Sequence, residues 1–167
     1  MSSEILITST GLTFPPVGTV RCALGPAGIT LNKTEGDGAT PAGAFALRKI
    51  LFRADRLAEP TTALPTQAIC EHDGWCDDLG DPNYNRPVTL PYGASAERLF
   101  RDDHLYDICV ILGHNDDPPV PGAGSAIFFH LARAHYQPTE GCVAVTLDHM
   151  TAILAACSRD TVMRIVS

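Results

Sequence analysis

Only one stretch of this chain repeats its apolar residues at helical spacing; every other apolar run is of strand length. In "TLDHMTAILAAC", Leu147, Met150, Ile153, Leu154 and Cys157 share one helical face. Thr146 stands where an N-cap belongs, and Asp148 suits the positive end of the helix. The strand-length runs are 4–8, 17–24, 44–52, 106–113, 125–131 and 161–166. "RPVTLPY" (86–92) reads as an edge strand, where proline is tolerated, and "SAERLF" (95–100) as a second short helix capped by Ser95. "GPAG" (25–28) is a turn, and 33–43, with Gly36, Gly38, Gly43 and Pro41, reads as loop. Residues 54–87 are polar and irregular, yet hold Trp75 and Tyr84, which predicts an ordered excursion rather than a floppy one. The pattern predicts a mostly β single domain over 1–167, a sandwich or barrel with one or two short helices.

A chain of 167 residues buries roughly 70% of its unfolded surface, enough for a core without metal or disulfide staples. Its formal charge of -7, with no Lys/Arg run, argues against nucleic acid or an anionic membrane surface as the main partner. No apolar run is long enough for membrane insertion. The N-terminus "MSSEILITSTGLTF" lacks a basic region before its short apolar patch, so it reads as a first strand rather than a signal peptide, and the cytoplasm is the default. The six cysteines include no CxxC pair, which argues against a structural zinc site. Cys109 and Cys157 lie in apolar runs and read as packing; Cys70 and Cys76 are close enough to invite a disulfide, which the missing signal peptide disfavours. Nothing in the pattern sets an oligomeric state.

The stretch "TEGCVAV" (139–145) puts a glycine before a thiol at a strand entry. Cys142 is there either as a small buried hydrophobe or as a nucleophile presented by a turn. A nucleophile needs a base, and His130, twelve residues upstream at the end of "SAIFFHL", is the candidate. The connector "ARAHYQPTEG" brings the chain back alongside, so the two side chains can meet across adjacent strands. His135 is a rival base within that connector, whereas His72, His104 and His149 have no companion pattern. Amides around Gly141, where no Cβ intervenes, would serve an oxyanion.

Read together, "GDGATPAGAF" (36–45), "YDICVILGHN" (106–115) and "IFFHLARAHYQPTEGCVAV" (127–145) resemble the L,D-transpeptidase catalytic domain, the YkuD family. Thr40, Pro41, Gly43 and Phe45 match its TPxGxF segment. His130, Thr139, Gly141 and Cys142 match, in order and type, its histidine and its later Ser/Thr-His-Gly-Cys motif. The resemblance implies a β-rich fold and cofactor-free, metal-free acyl transfer on peptidoglycan stem peptides. It implies Cys142 as nucleophile, His130 as base and the Leu131 carbonyl as the group orienting the ring. Amides of Glu140, Gly141 and Cys142 are the implied oxyanion donors. Expected substrate contacts are Thr40, Thr139 and Arg133, the loop residues Trp75, Asp77, Tyr84 and Asn85, and His114 with Asn115. The family's substrate lies outside the cytoplasmic membrane, which implies the periplasm, against the unsignalled N-terminus.

Two positions depart from the family pattern. Glu140 stands where the family has histidine, and Ala144 where it commonly has arginine. A carboxylate beside the thiol raises its pKa, so Glu140 must point away or a cation must compensate, with Arg133 nearest in sequence. Two rival functions remain open at this level. One is a zinc peptidase using His114, Asp116, Asp117 and His130, although no HxH or HExxH occurs. The other is a non-catalytic wall-binding module gripping ligand with Trp75, Asp77 and Tyr84.

Overall fold

The computed structural model describes residues 3–167. Fourteen strands run β1 (Glu4–Thr8), β2 (Gly11–Phe14), β3 (Gly18–Val20), β4 (Ile29–Thr30), β5 (Thr40–Pro41), β6 (Gly43–Phe52), β7 (Thr66–Ala68), β8 (Asp73–Cys76), β9 (Pro87–Thr89), β10 (Ala96–Arg98), β11 (Ile108–Leu112), β12 (Phe128–Leu131), β13 (Val143–Val145) and β14 (Val162–Ile165), with one helix, α1 (Leu147–Ala156). The large sheet is ordered β13-β12-β11-β6-β14-β1-β2-β3, with β7 beside one end of β6. The mostly β expectation holds. β8 is flanked by β9 and β10 in a small separate sheet, and β4 pairs with β5.

Strand alternation gives the large sheet two differently used faces. Val110 and Leu112 of β11, Phe129 and Leu131 of β12, and Val143 and Val145 of β13 join the main core, which α1 enters through Met150, Ile153 and Leu154. The intervening residues Cys109, Phe128 and Cys142 join a second cluster with Trp75, Leu99 and Tyr106. Phe128 and Phe129 are both fully buried, each stabilising by about 1.5–3 kcal/mol through lost apolar exposure. They do so on opposite faces, so the strand carrying His130 is pinned from both sides.

Helix α1 starts as its sequence suggests, with the Thr146 hydroxyl accepting from the His149 amide and Asp148 in the first turn. Leu147, expected on the buried face, is instead exposed at the first helical position. The segment 95–100 contains strand β10 and no helix: Glu97 pairs with Trp75 across to β8, and the Ser95 hydroxyl donates to the Asp77 carboxylate rather than capping. A six-residue helix has too little cooperativity to compete with that pairing. The run 17–24 is broken: β3 ends at Val20, and Ala23 makes a single antiparallel bridge to Ala144. The loop 33–43 contains β5. Cys70 and Cys76 are free thiols, the first exposed and the second buried.

Candidate active site

Strands β12 and β13 run parallel, with Phe129 opposite Val143 and His130 opposite Ala144. Parallel neighbours require a crossover, and residues 132–142 provide it. His130, Phe128, Cys142 and Ala144 thereby share one face. The register brings the Phe128 amide to the Cys142 Sγ at 3.4 Å, and Sγ donates to the Ala126 carbonyl at 3.3 Å. His130 and Cys142 line one cavity of about 570 Å³. Within the crossover, His135 lies exposed in a 3-10 turn and does not line that cavity, so it has no access to the thiol.

The turn before Cys142 is held from beneath. Thr139 Oγ1 donates to the Cys142 carbonyl at 2.7 Å and accepts from the Gly141 amide at 3.2 Å. Thr40 Oγ1 approaches the same carbonyl at 3.4 Å while accepting from the Gly25 amide at 2.9 Å. The TPxGxF segment thus reaches the cysteine as a backbone clamp, not as a cavity wall. Gly141 has φ +117°, and a Cβ there would stand 2.7 Å from the Ala39 carbonyl oxygen. No other residue fits that position without strain.

His130 is buried, with Nδ1 2.9 Å from the Leu131 carbonyl oxygen. Only a protonated Nδ1 donates there, so the neutral ring presents Nε2 as an acceptor. The Tyr106 ring packs edge-on at 5.3 Å. Burial, above all, pulls the His130 pKa down to about 4, helped by the positive charges of Arg101 and Arg133. Burial pushes the Cys142 thiol up to about 12; Glu97 and Glu140 add to the rise, while the Phe128 amide and Lys33 oppose it. The pair therefore rests as neutral thiol and neutral imidazole. The cation whose charge opposes that rise is Lys33; Arg133 acts on His130. Ala144 is fully buried beside His130 and brings no charge to that face.

The expected substrate contacts divide into two layers. Asp77, Arg133 and Thr139 line the cavity; Thr40, Trp75, Tyr84, Asn85, His114 and Asn115 do not. Asn85 accepts from the Trp75 indole at 2.9 Å and from the Ala126 amide at 3.0 Å, so it positions the residue whose carbonyl meets Cys142. Tyr84 donates to Glu35 at 3.1 Å and accepts from the Gly124 amide at 3.1 Å. His114 Nε2 bonds the Ala123 carbonyl at 3.0 Å, and Asn115 ties the loop through Val120 and Gly124. These side chains are buried or engaged in scaffolding because the excursion and the 114–124 loop must satisfy their own backbone polar groups.

Residues not expected at the site complete the cavity. Glu35, Glu97, Arg101 and Tyr106 line it. The Tyr106 hydroxyl donates to Glu97, whose carboxyl is raised chiefly by burial. Arg101 is committed to Asp103 through two hydrogen bonds of 2.8 and 2.6 Å. The wall carries Glu35, Asp77, Glu97 and Glu140 against Arg101 and Arg133, an acidic balance suited to an ammonium group. Among the described residues no three His, Cys, Asp or Glu side chains stand close enough to hold a metal ion, and His114 is not on the cavity wall that His130 lines. No described helix is long and apolar enough to cross a membrane.

No individual curated protein matches the chain significantly. Residues 9–165, however, match the L,D-transpeptidase catalytic domain, YkuD. That match spans nearly the whole chain, from β2 through β14, so the chain belongs to the L,D-transpeptidase catalytic domain family.

Proposed function

We propose that this chain is a cysteine acyltransferase that crosslinks peptidoglycan stem peptides. The observation carrying this reading is the shared cavity wall of Cys142 and His130, with the imidazole tautomer set by the Leu131 carbonyl. Cys142 Sγ attacks the donor carbonyl carbon as its proton passes to His130 Nε2. A neutral resting pair makes this transfer concerted with attack, because free thiolate is scarce. The tetrahedral oxyanion lies near the amides of Glu140 and Cys142. The Gly141 amide is already engaged by Thr139 and serves the oxyanion only if that bond yields. The imidazolium returns the proton to the leaving nitrogen as its bond to carbon breaks, leaving a thioester. An acceptor amine then attacks the thioester, gives its proton to Nε2 and expels the sulfur, which is reprotonated. Water in place of the amine gives an L,D-carboxypeptidase side reaction.

The acceptor is the side-chain amine of diaminopimelate, which the acidic wall suits. For the donor, Ala144 removes a bidentate carboxylate clamp, and Glu140 adds an acceptor for ammonium. Those changes favour a donor carbonyl shifted along the stem, giving first-to-third linkages from L-alanine beside or instead of third-to-third linkages. Tandem mass spectrometry of dimers formed from purified muropeptides tests this. First-to-third dimers support the shift; exclusively third-to-third dimers refute the shift, and no dimers refute the transferase reading. A peptidoglycan substrate supports a periplasmic working site, and fractionation finding the native protein only in cytosol would redirect the reading to precursors or recycled fragments.

A further inference from the structure

The thiol sits among groups that oppose its ionisation. Glu97 faces it from β10 and Glu140 from its own turn, and both hold its proton on. Cys109 of β11 and Tyr106 just before it add no positive charge, and Arg101 and Arg133 act on His130 instead. One ammonium lies against the cysteine turn. The Lys33 side chain is 6% exposed, and its Nζ pairs with Asp37 and donates to the Ala39 carbonyl at 2.8 Å. Gly141 covers it: a Cβ there would be 3.3 Å from Nζ. Gly124 lies over the stem, where a Cβ would meet the Lys33 Cγ at 2.9 Å. Backbone bare of side chains on both sides lets the lysine pass directly beneath the residue preceding the nucleophile.

We propose that Lys33, held by Asp37 and the Ala39 carbonyl beneath the Gly141 turn, is a positioning residue that supplies the cation missing at position 144 and favours negative charge on the Cys142 sulfur. The proposal rests on Cys142 being the nucleophile. Lys33 does not reach the substrate; it acts through the field across one residue of backbone. Asp37 fixes the ammonium and at the same time tempers it, since its carboxylate is the nearest opposing charge. The Thr34 and Ala39 amides, at 3.0 and 2.9 Å, hold that carboxylate in turn. This accounts for Lys33 and Asp37 of the polar, glycine-spaced "KTEGDGA" segment, neither of which lines the cavity.

The test is alkylation by iodoacetamide across a pH series, read at Cys142 by peptide mass spectrometry, with exposed Cys70 as internal control. Lys33→Met is expected to slow Cys142 alkylation about tenfold at each pH below the thiol's ionisation, a sign that loosening of the turn, which would expose the thiol, does not produce. Lys33→Arg restores most of the rate. Asp37→Asn, by removing the opposing carboxylate, speeds alkylation, and this counts only with an unchanged urea unfolding midpoint, since a loosened turn would also speed it by exposing the thiol. A Lys33→Met alkylation rate equal to wild type across that pH series overturns the proposal. So does equal speeding in Lys33→Met and Asp37→Asn, which marks both as merely loosening the turn around a buried thiol. Should Lys33→Met fail to fold, Lys33→Gln, which keeps a donor for the Ala39 carbonyl without the charge, is read in its place, and a rate equal to wild type there overturns the proposal. Alkylation needs no turnover, so failure of the acyl-transfer reading, seen as muropeptide conversion by Cys142→Ala, is separately visible.

Discussion

Acid should destabilise this protein through His130, and the effect can be isolated. The imidazole is buried neutral, its pKa lowered from 6.5 to about 4, mainly by desolvation. A depressed folded pKa means that the unfolded chain takes up the proton first as pH falls. The stabilising contribution is therefore full above 6.5 and is lost progressively down to about 4. At pH 5 the unfolded imidazole is protonated about 30:1, while about a tenth of the folded one is. The loss between pH 7 and pH 5 is then about 2 kcal/mol, or about 4–8 °C in Tm for a chain of this size. Other titrating groups, including His114 and the carboxylates, contribute to the raw curve. His130→Gln removes only the His130 titration, so the measured quantity is the difference in pH slope between wild type and variant by urea unfolding. The wild type should lose about 2 kcal/mol more than His130→Gln over that interval. Parallel slopes would refute the account of a desolvated neutral base.

Cys142→Ala should abolish muropeptide conversion while keeping a cooperative unfolding transition, and His130→Ala should be nearly as severe because the two act as a unit; conversion by the cysteine variant would remove Cys142 from the chemistry. Chelation should leave turnover unchanged, and activity lost with chelator and regained with zinc would move the assignment to a metallopeptidase. Gly141→Ala should destabilise by at least about 2 kcal/mol, from positive φ and the Ala39 contact together, measured by urea unfolding. An unchanged midpoint would show that the turn relaxes freely.

The local pattern alone determined the β-rich class, because strand-length runs and one helical repeat leave few other ways to bury apolar faces. It determined the capped helix at Thr146, whose signals are all within a few residues. Motif order and type singled out Cys142, His130 and Thr139, which a nucleophile turn and the strand beside it keep close in sequence; Thr40, 102 residues from the cysteine, was singled out by its TPxGxF segment alone. Ser95 and the 95–100 segment misled for the complementary reason: a weak local helix signal lost to pairing with β8, which no local pattern reveals. The polar excursion was equally opaque. Trp75, Tyr84 and Asn85 have the look of ligand contacts, yet burial turns them into scaffold, and their hydrogen-bond partners lie up to 49 residues away in sequence. Glu97, Tyr106 and Arg101 reach the cavity only because strands distant in the chain become neighbours. Lys33 illustrates the point most sharply. Arg133 was nearest to the thiol along the chain, but charge acts through space, and the glycine-bare path beneath Gly141 that brings the lysine there exists only in the folded protein.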